Sequence, residues 1–197
     1  AHLTRERALI ADIVANWDDE GPRLVYADWL LERDHICGQL IVLSCKLARD
    51  KQLSKSETKQ LAMLRGGFRA PAYPFGPFSD FKHVIDRGLP SQLSVTWNAN
   101  PITWRYLPGD PLLPCIDVID FETPDRRGRP AAEEVARVML APSATRLVRL
   151  TNVPNELIGG RSDPRFEPTT GGDRLADALE PLVKASWKRD GKTFLRR

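Results

Sequence analysis

The sequence is poor in the residues that build most metal and redox sites. It holds three histidines and three cysteines in 197 residues, and no two cysteines form a C-x-x-C pair. A tetrahedral zinc site needs four ligands at defined spacings, whereas His35 and Cys37 form one close pair without a second. We therefore expect no bound metal, and we interpret the odd number of cysteines as reduced, buried thiols.

Motifs of nucleotide and acyl chemistry are also missing. The chain contains neither the phosphate-binding loop GxxxxGK nor the dinucleotide fingerprint GxGxxG. The GxSxG elbow that presents a nucleophilic serine is absent as well. We therefore predict that the protein is not an enzyme and that it uses no cofactor.

Long apolar runs are absent too. No stretch approaches the roughly 18 apolar residues that span a bilayer, and the first residues lack the basic-then-apolar order of a signal peptide. We expect a cytoplasmic protein without a membrane partner. An apolar content of 42% is nevertheless enough to fill a core, which excludes disorder along the whole chain.

Apolar residues recur at helical spacing over the first 65 residues and predict a small bundle of four helices. The first helix carries the clearest stripe, from Leu9 to Trp17. We expect the first helix to be capped by Thr4 and the second to begin at Pro22. The third should begin near Gly38 after a break in the pattern, and the fourth should be capped by Ser54 or Ser56.

The composition changes at Phe68, where prolines interrupt an aromatic segment, and we predict a domain boundary there. Residues 1–67 would form the helical module and residues 68–197 an α/β region. Strands are predicted at residues 93–97, 115–121 and 146–150, and helices at residues 131–140 and 174–187, the last kinked by Pro181. Connections of this length favour parallel strands, so the expected class is α+β.

One segment resembles a known family. The sequence DDEGPRLVYADWLLERDHICGQLIVLSCKLAR, residues 18–49, is similar to the bacterial repeat-companion domain, which occurs beside leucine-rich repeats in planctomycetes and myxobacteria. The match is nearly complete from Pro22 to Leu30. It departs from the family pattern at Leu31, at Asp34-His35 and at Gln39-Leu40-Ile41. The resemblance implies an interaction module without catalytic residues.

Two later segments extend the resemblance. DFKHVIDRGLPSQLSV, residues 80–95, is similar to the Arg-Gly strand that follows the module, and ATRLVRLTNVPNELIGG, residues 144–160, is similar to a degenerate leucine-rich repeat. Our leading hypothesis is therefore an adaptor or accessory subunit that binds another protein within a larger bacterial assembly. Within the matched motif, we interpret Asp28 as a structural acceptor that caps a turn or pairs with Arg23, and Trp29 as a core anchor.

Charged clusters leave two alternatives open. The net charge is +3, and basic residues are concentrated in a loop and in the C-terminal tail; they are Arg126, Arg127, Arg129, Lys188, Arg189, Lys192, Arg196 and Arg197. Such residues would suit a nucleic-acid-associated subunit of a ribonucleoprotein or defence complex, although a solvated loop and a frayed tail also explain them.

The second alternative is a metal-dependent hydrolase. Its two-carboxylate magnesium site would come from an acidic cluster around the second predicted strand. The cluster consists of Asp110, Asp117, Asp120, Glu122 and Asp125.

Overall fold

The protein belongs to the α+β class, as predicted. The computed structural model describes residues 2–66, 81–95, 105–121, 132–153 and 175–197. The α-helices with defined bounds in these ranges are α1 (His2–Ala15), α2 (Gly21–Leu31), α3 (Ile36–Asp50), α4 (Lys55–Gly66), α5 (Ala132–Met139) and α6 (Leu175–Val183). The strands are β1 (Phe81–Asp86), β2 (Leu89–Val95), β3 (Val118–Asp120), β4 (Arg149–Thr151), β5 (Trp187–Asp190) and β6 (Thr193–Arg196).

Local capping explains where the N-terminal helices begin. The Ser54 hydroxyl accepts the Glu57 N–H at 3.2 Å and the Glu57 carboxylate accepts the Ser54 N–H at 2.9 Å, which is a capping box at the start of α4. The imidazole of His35 caps α3 by accepting the Cys37 N–H at 3.4 Å. The predicted cap at Thr4 is wrong, because α1 already begins at His2.

Six strands form one mixed sheet in the order β1-β2-β3-β4-β6-β5. The pairs β2–β3 and β3–β4 are parallel, as the connections predicted. The C-terminal end differs from the prediction. Its helix stops at Val183, and Trp187 instead opens the antiparallel hairpin β5–β6, which turns at Gly191 with a φ of +57°. The tail is therefore part of the sheet rather than frayed.

One hydrophobic core connects the helices with the sheet. It contains residues of α1, α2 and α3 together with Leu89, Ile119, Leu150 and Phe194 from four strands. α4 lies outside this core and packs on α3 through a smaller cluster. The boundary predicted at residues 67–68 lies outside the described residues, and the division of the chain there stays a prediction.

The β1–β2 turn is pressed against the helical bundle. Arg87 and Gly88 form a two-residue turn with positive φ at both positions, +46° and +87°. A Cβ added to Gly88 would lie 2.4 Å from the Cα of Ile41 in α3. The left-handed conformation of Arg87 is offset by two hydrogen bonds of 2.9 Å that its guanidinium donates to the carbonyls of Trp17 and Asp18.

A fully buried arginine fastens the same junction. Arg23 donates to the carbonyls of Trp17 and Asp19 and lies 3.5 Å from the Asp86 carboxylate, just before the turn. The predicted pairing of Asp28 with Arg23 is therefore wrong, since Asp28 points to solvent. Trp29 is confirmed as a core residue: it is 7% exposed and stacks on Tyr26.

We expect Gly88→Ala to be strongly destabilising. The new methyl group would overlap the backbone of α3 and the residue would be strained at positive φ, which together cost at least about 3 kcal/mol of unfolding free energy. Urea denaturation followed by circular dichroism measures the loss. The matched control is Gly191→Ala. Gly191 also has a positive φ, but no atom lies within 4 Å of a Cβ added there, so the unfolding free energy should fall by only about 1 kcal/mol. Equal losses in the two variants would contradict the close contact with Ile41.

Candidate functional site: a proline-walled cleft beside α1

The predicted acidic cluster does not form one site in the described part of the chain. Asp120 accepts hydrogen bonds of 2.7 Å from the Thr151 hydroxyl and the Asn152 amide, whereas Asp117 lies 3.9 Å from Arg146. Asp110 lines a separate cleft. Glu122 and Asp125 lie outside the described residues, and within those residues no three potential ligands are grouped for a metal.

The basic tail is partly engaged in the fold. Arg189 pairs with Asp177 at 2.6 Å and Glu180 at 3.1 Å on α6. Arg196 donates to the carbonyls of residues 144, 145 and 147 at 2.7, 3.4 and 3.4 Å. Lys188, Lys192 and Arg197 are exposed on the hairpin, while Arg126, Arg127 and Arg129 lie outside the described residues. Two of the predicted nucleic-acid residues therefore make contacts within the fold: Arg189 joins the hairpin to α6, and Arg196 joins it to the segment before β4.

A cleft lies between α1 and two proline-rich segments, and its volume is about 550 Å³. Four residues at helical spacing form the α1 wall: Arg7, Ala11, Val14 and Ala15. The opposite walls are residues 108–111 with Pro114, and Pro142, Ser143 and Thr145. The two alanines leave room that larger side chains on α1 would fill.

Short hydrogen bonds fix the proline-rich walls. The Ser143 hydroxyl donates to the Pro108 carbonyl at 2.8 Å and so ties the two segments together. Arg7 reaches from α1 to the Gly109 carbonyl at 3.3 Å. Proline has a fixed φ, so walls built with Pro108, Pro111, Pro114 and Pro142 change little in shape. The cleft is therefore preformed.

Asp110 is the buried acid of this cleft. It is 8% exposed, and its Oδ1 accepts the Leu112 N–H at 2.8 Å. Burial raises the pKa of its carboxyl to about 7, and the nearby Glu6 adds to the increase, whereas the Leu112 N–H acts in the opposite direction. An apolar cleft with one acid that titrates near neutral pH is a typical ligand-binding arrangement.

Sequence reasoning missed this cleft. Its walls come from residues 7–15, 108–114 and 142–145, which are far apart in the chain. The sequence pattern places Asp110 in the acidic cluster with Asp117 and Asp120 instead. The one local signal is the density of prolines around Asp110, at positions 108, 111 and 114. Proline fixes φ, so such a segment is suited to form a rigid wall.

Comparisons with models of protein families, with curated proteins and with solved structures found no match to this chain. Among the described residues, no helix has the length and apolar character needed to cross a bilayer.

We predict that Asp110→Asn removes a pH dependence of stability. The pKa of Asp110 is raised from 3.8 to about 7 on folding, so the wild type should lose stability as pH rises from about 4 to 7, on the order of 4 kcal/mol. The amide keeps an acceptor for the Leu112 N–H but carries no charge. Urea unfolding at pH 4.5 and 8 should show a variant that gains stability relative to the wild type mainly at pH 8. Asp28→Asn, at an exposed position, is the control, and an equal effect of Asp110→Asn at both pH values would contradict the assignment.

Replacing Arg196 should lower the stability of the protein more than replacing Lys188. Arg196→Ala removes the donor to three carbonyls and should lower the unfolding free energy by about 1–2 kcal/mol. Lys188→Ala, on the exposed side of the same hairpin, should stay within about 0.5 kcal/mol of the wild type. Thermal and urea denaturation measure both, and a neutral Arg196→Ala would show that the carbonyl contacts contribute nothing.

Proposed function

We propose that the protein is a non-enzymatic adaptor or accessory subunit that binds a segment of another protein in the cleft beside α1. The observation that carries this proposal is the preformed cleft itself, with its four prolines and the open alanine stripe of α1. The resemblance of residues 22–30 to the repeat-companion domain supports an interaction role in the same direction.

The size and lining of the cleft suit an extended protein segment. Its volume of about 550 Å³ lies within the range of sites that enclose small ligands or a few side chains. A rigid receptor loses little conformational entropy on binding, so even a modest contact area can give useful affinity. The apolar walls provide the burial, and the rim residue Arg7 offers a polar contact beside them.

Nucleic acid fits this cleft less well than a protein segment. Binding to phosphates needs several Lys or Arg side chains together, and the cleft has one basic residue, Arg7, beside a buried acid. A nucleic-acid role would have to use the basic loop and the exposed residues of the C-terminal hairpin instead. The two hypotheses therefore place the partner on different surfaces.

Site-specific photo-crosslinking in host cells tests the proposal. A benzophenone amino acid replaces Thr145, an exposed residue at the edge of the cleft, so that the space beside Ala11 stays open; a matched variant carries it at Ala62, an exposed alanine of α4. We expect one protein adduct from position 145 that is absent from position 62 and survives nuclease treatment. Equal labelling at both positions, or an adduct lost with nuclease, would contradict a protein-binding cleft.

A further inference from the structure

The cleft contains the Asp110 carboxylate, and only one of its two oxygens accepts a hydrogen bond within the described part of the chain. Oδ1 of Asp110 accepts the Leu112 N–H, whereas Oδ2 has no hydrogen-bond partner among the described residues. Asp110 is also among the residues that line the cleft. A buried acid without a counter-charge is costly, and a bound cation would remove that cost.

The neighbouring groups do not supply the cation. Glu6 on α1 is itself acidic, and its carboxylate accepts the Tyr26 hydroxyl at 2.9 Å. Arg7 is exposed and directs its guanidinium to the Gly109 carbonyl. Cys115 is fully buried nearby, and burial raises the pKa of its thiol to about 12, so it stays neutral. The raised pKa of Asp110 agrees with a carboxyl that lacks a positive partner.

We propose that the cleft anchors a lysine side chain of the bound protein segment, with its ammonium group on the free Oδ2 of Asp110 and its aliphatic stem along the proline and alanine walls. This inference rests on the proposed function and names the residue type that the partner must present. Long basic side chains commonly bury their methylene groups along apolar surface in this way.

Lysine suits the geometry better than arginine. A guanidinium binds a carboxylate best through two parallel hydrogen bonds to both oxygens, and Oδ1 of Asp110 is already used by Leu112. An ammonium group is a compact charge that needs one oxygen. A lysine ligand also predicts pH-dependent binding, because the carboxyl of Asp110 has a pKa of about 7 and must lose its proton to pair with the cation.

The test uses the full chain and small probes of the lysine side chain. The ¹H–¹⁵N NMR spectrum is titrated with n-butylammonium, and 1-butanol and n-butylguanidinium serve as uncharged and planar analogues. We expect n-butylammonium to shift the amides of Ala11 and Gly109 and to bind more tightly than either analogue. Its affinity should be about tenfold weaker at pH 6 than at pH 8, the ratio of the charged fractions of a carboxyl with a pKa of about 7.

Asp110→Asn should abolish the preference for the ammonium probe over 1-butanol, while the matched control Asp28→Asn should keep it. Equal binding of n-butylammonium and 1-butanol to the wild type, or unchanged preference in Asp110→Asn, would overturn the lysine anchor. The crosslinking at Thr145 would still decide the proposed function in that case, because an adduct there with a segment lacking lysine shows a protein-binding cleft without a cationic anchor.

Discussion

The contact between the Gly88 backbone and Ile41 constrains the rest of the structure. The helices and the sheet approach so closely there that a Cβ would be only 2.4 Å from the α3 backbone. This approach places Leu89 and Leu93 of β2 in the common core, and β2 in turn sets the register of the parallel strands β3 and β4. Without it, the helices and the sheet would each expose apolar side chains that are buried in this common core.

Charged groups complete the same junction. Trp17, two residues after α1, contacts two guanidinium groups: that of Arg23 lies 4.3 Å from the ring centroid and that of Arg146 lies 3.7 Å from it. Arg146 directly follows the cleft residue Thr145, whereas Trp17 lies two residues beyond the end of α1, which forms another wall. The contact of Trp17 with Arg146 therefore joins two segments that border the cleft. Cation–π contacts of this kind are strongest where water is excluded, as it is around the fully buried Arg23.

Much of the fold could be predicted from local patterns, and most of the site could not. Helices α1–α4 follow from apolar spacing and caps such as Ser54, because these signals lie within a few residues of the element they define. The sequence pattern instead predicts the end of a helix and a frayed tail where the C-terminal hairpin lies. Each of its strands has only four residues, and each contains one buried aromatic residue, Trp187 or Phe194, among polar neighbours such as Lys188 and Arg189. This is too short a pattern to indicate a strand. The sequence suggests an ion pair between Arg23 and Asp28, whereas the carboxylate that Arg23 contacts belongs to Asp86, 63 residues away in sequence. Long-range packing of this kind leaves no mark within a sequence window.

The place of β6 inside the sheet has a consequence for how the protein is made. β6 lies between β4 and β5, so β4 acquires its second neighbour only when residues 193–196 have been synthesised. Until then β4 can pair with β3 alone, and its other edge, at the buried residue Leu150, lacks β6. Pairing over such sequence distances is slow. Exposed strand edges promote association between chains. We therefore expect a growing chain to be more prone to association before β6 pairs with β4 than after it.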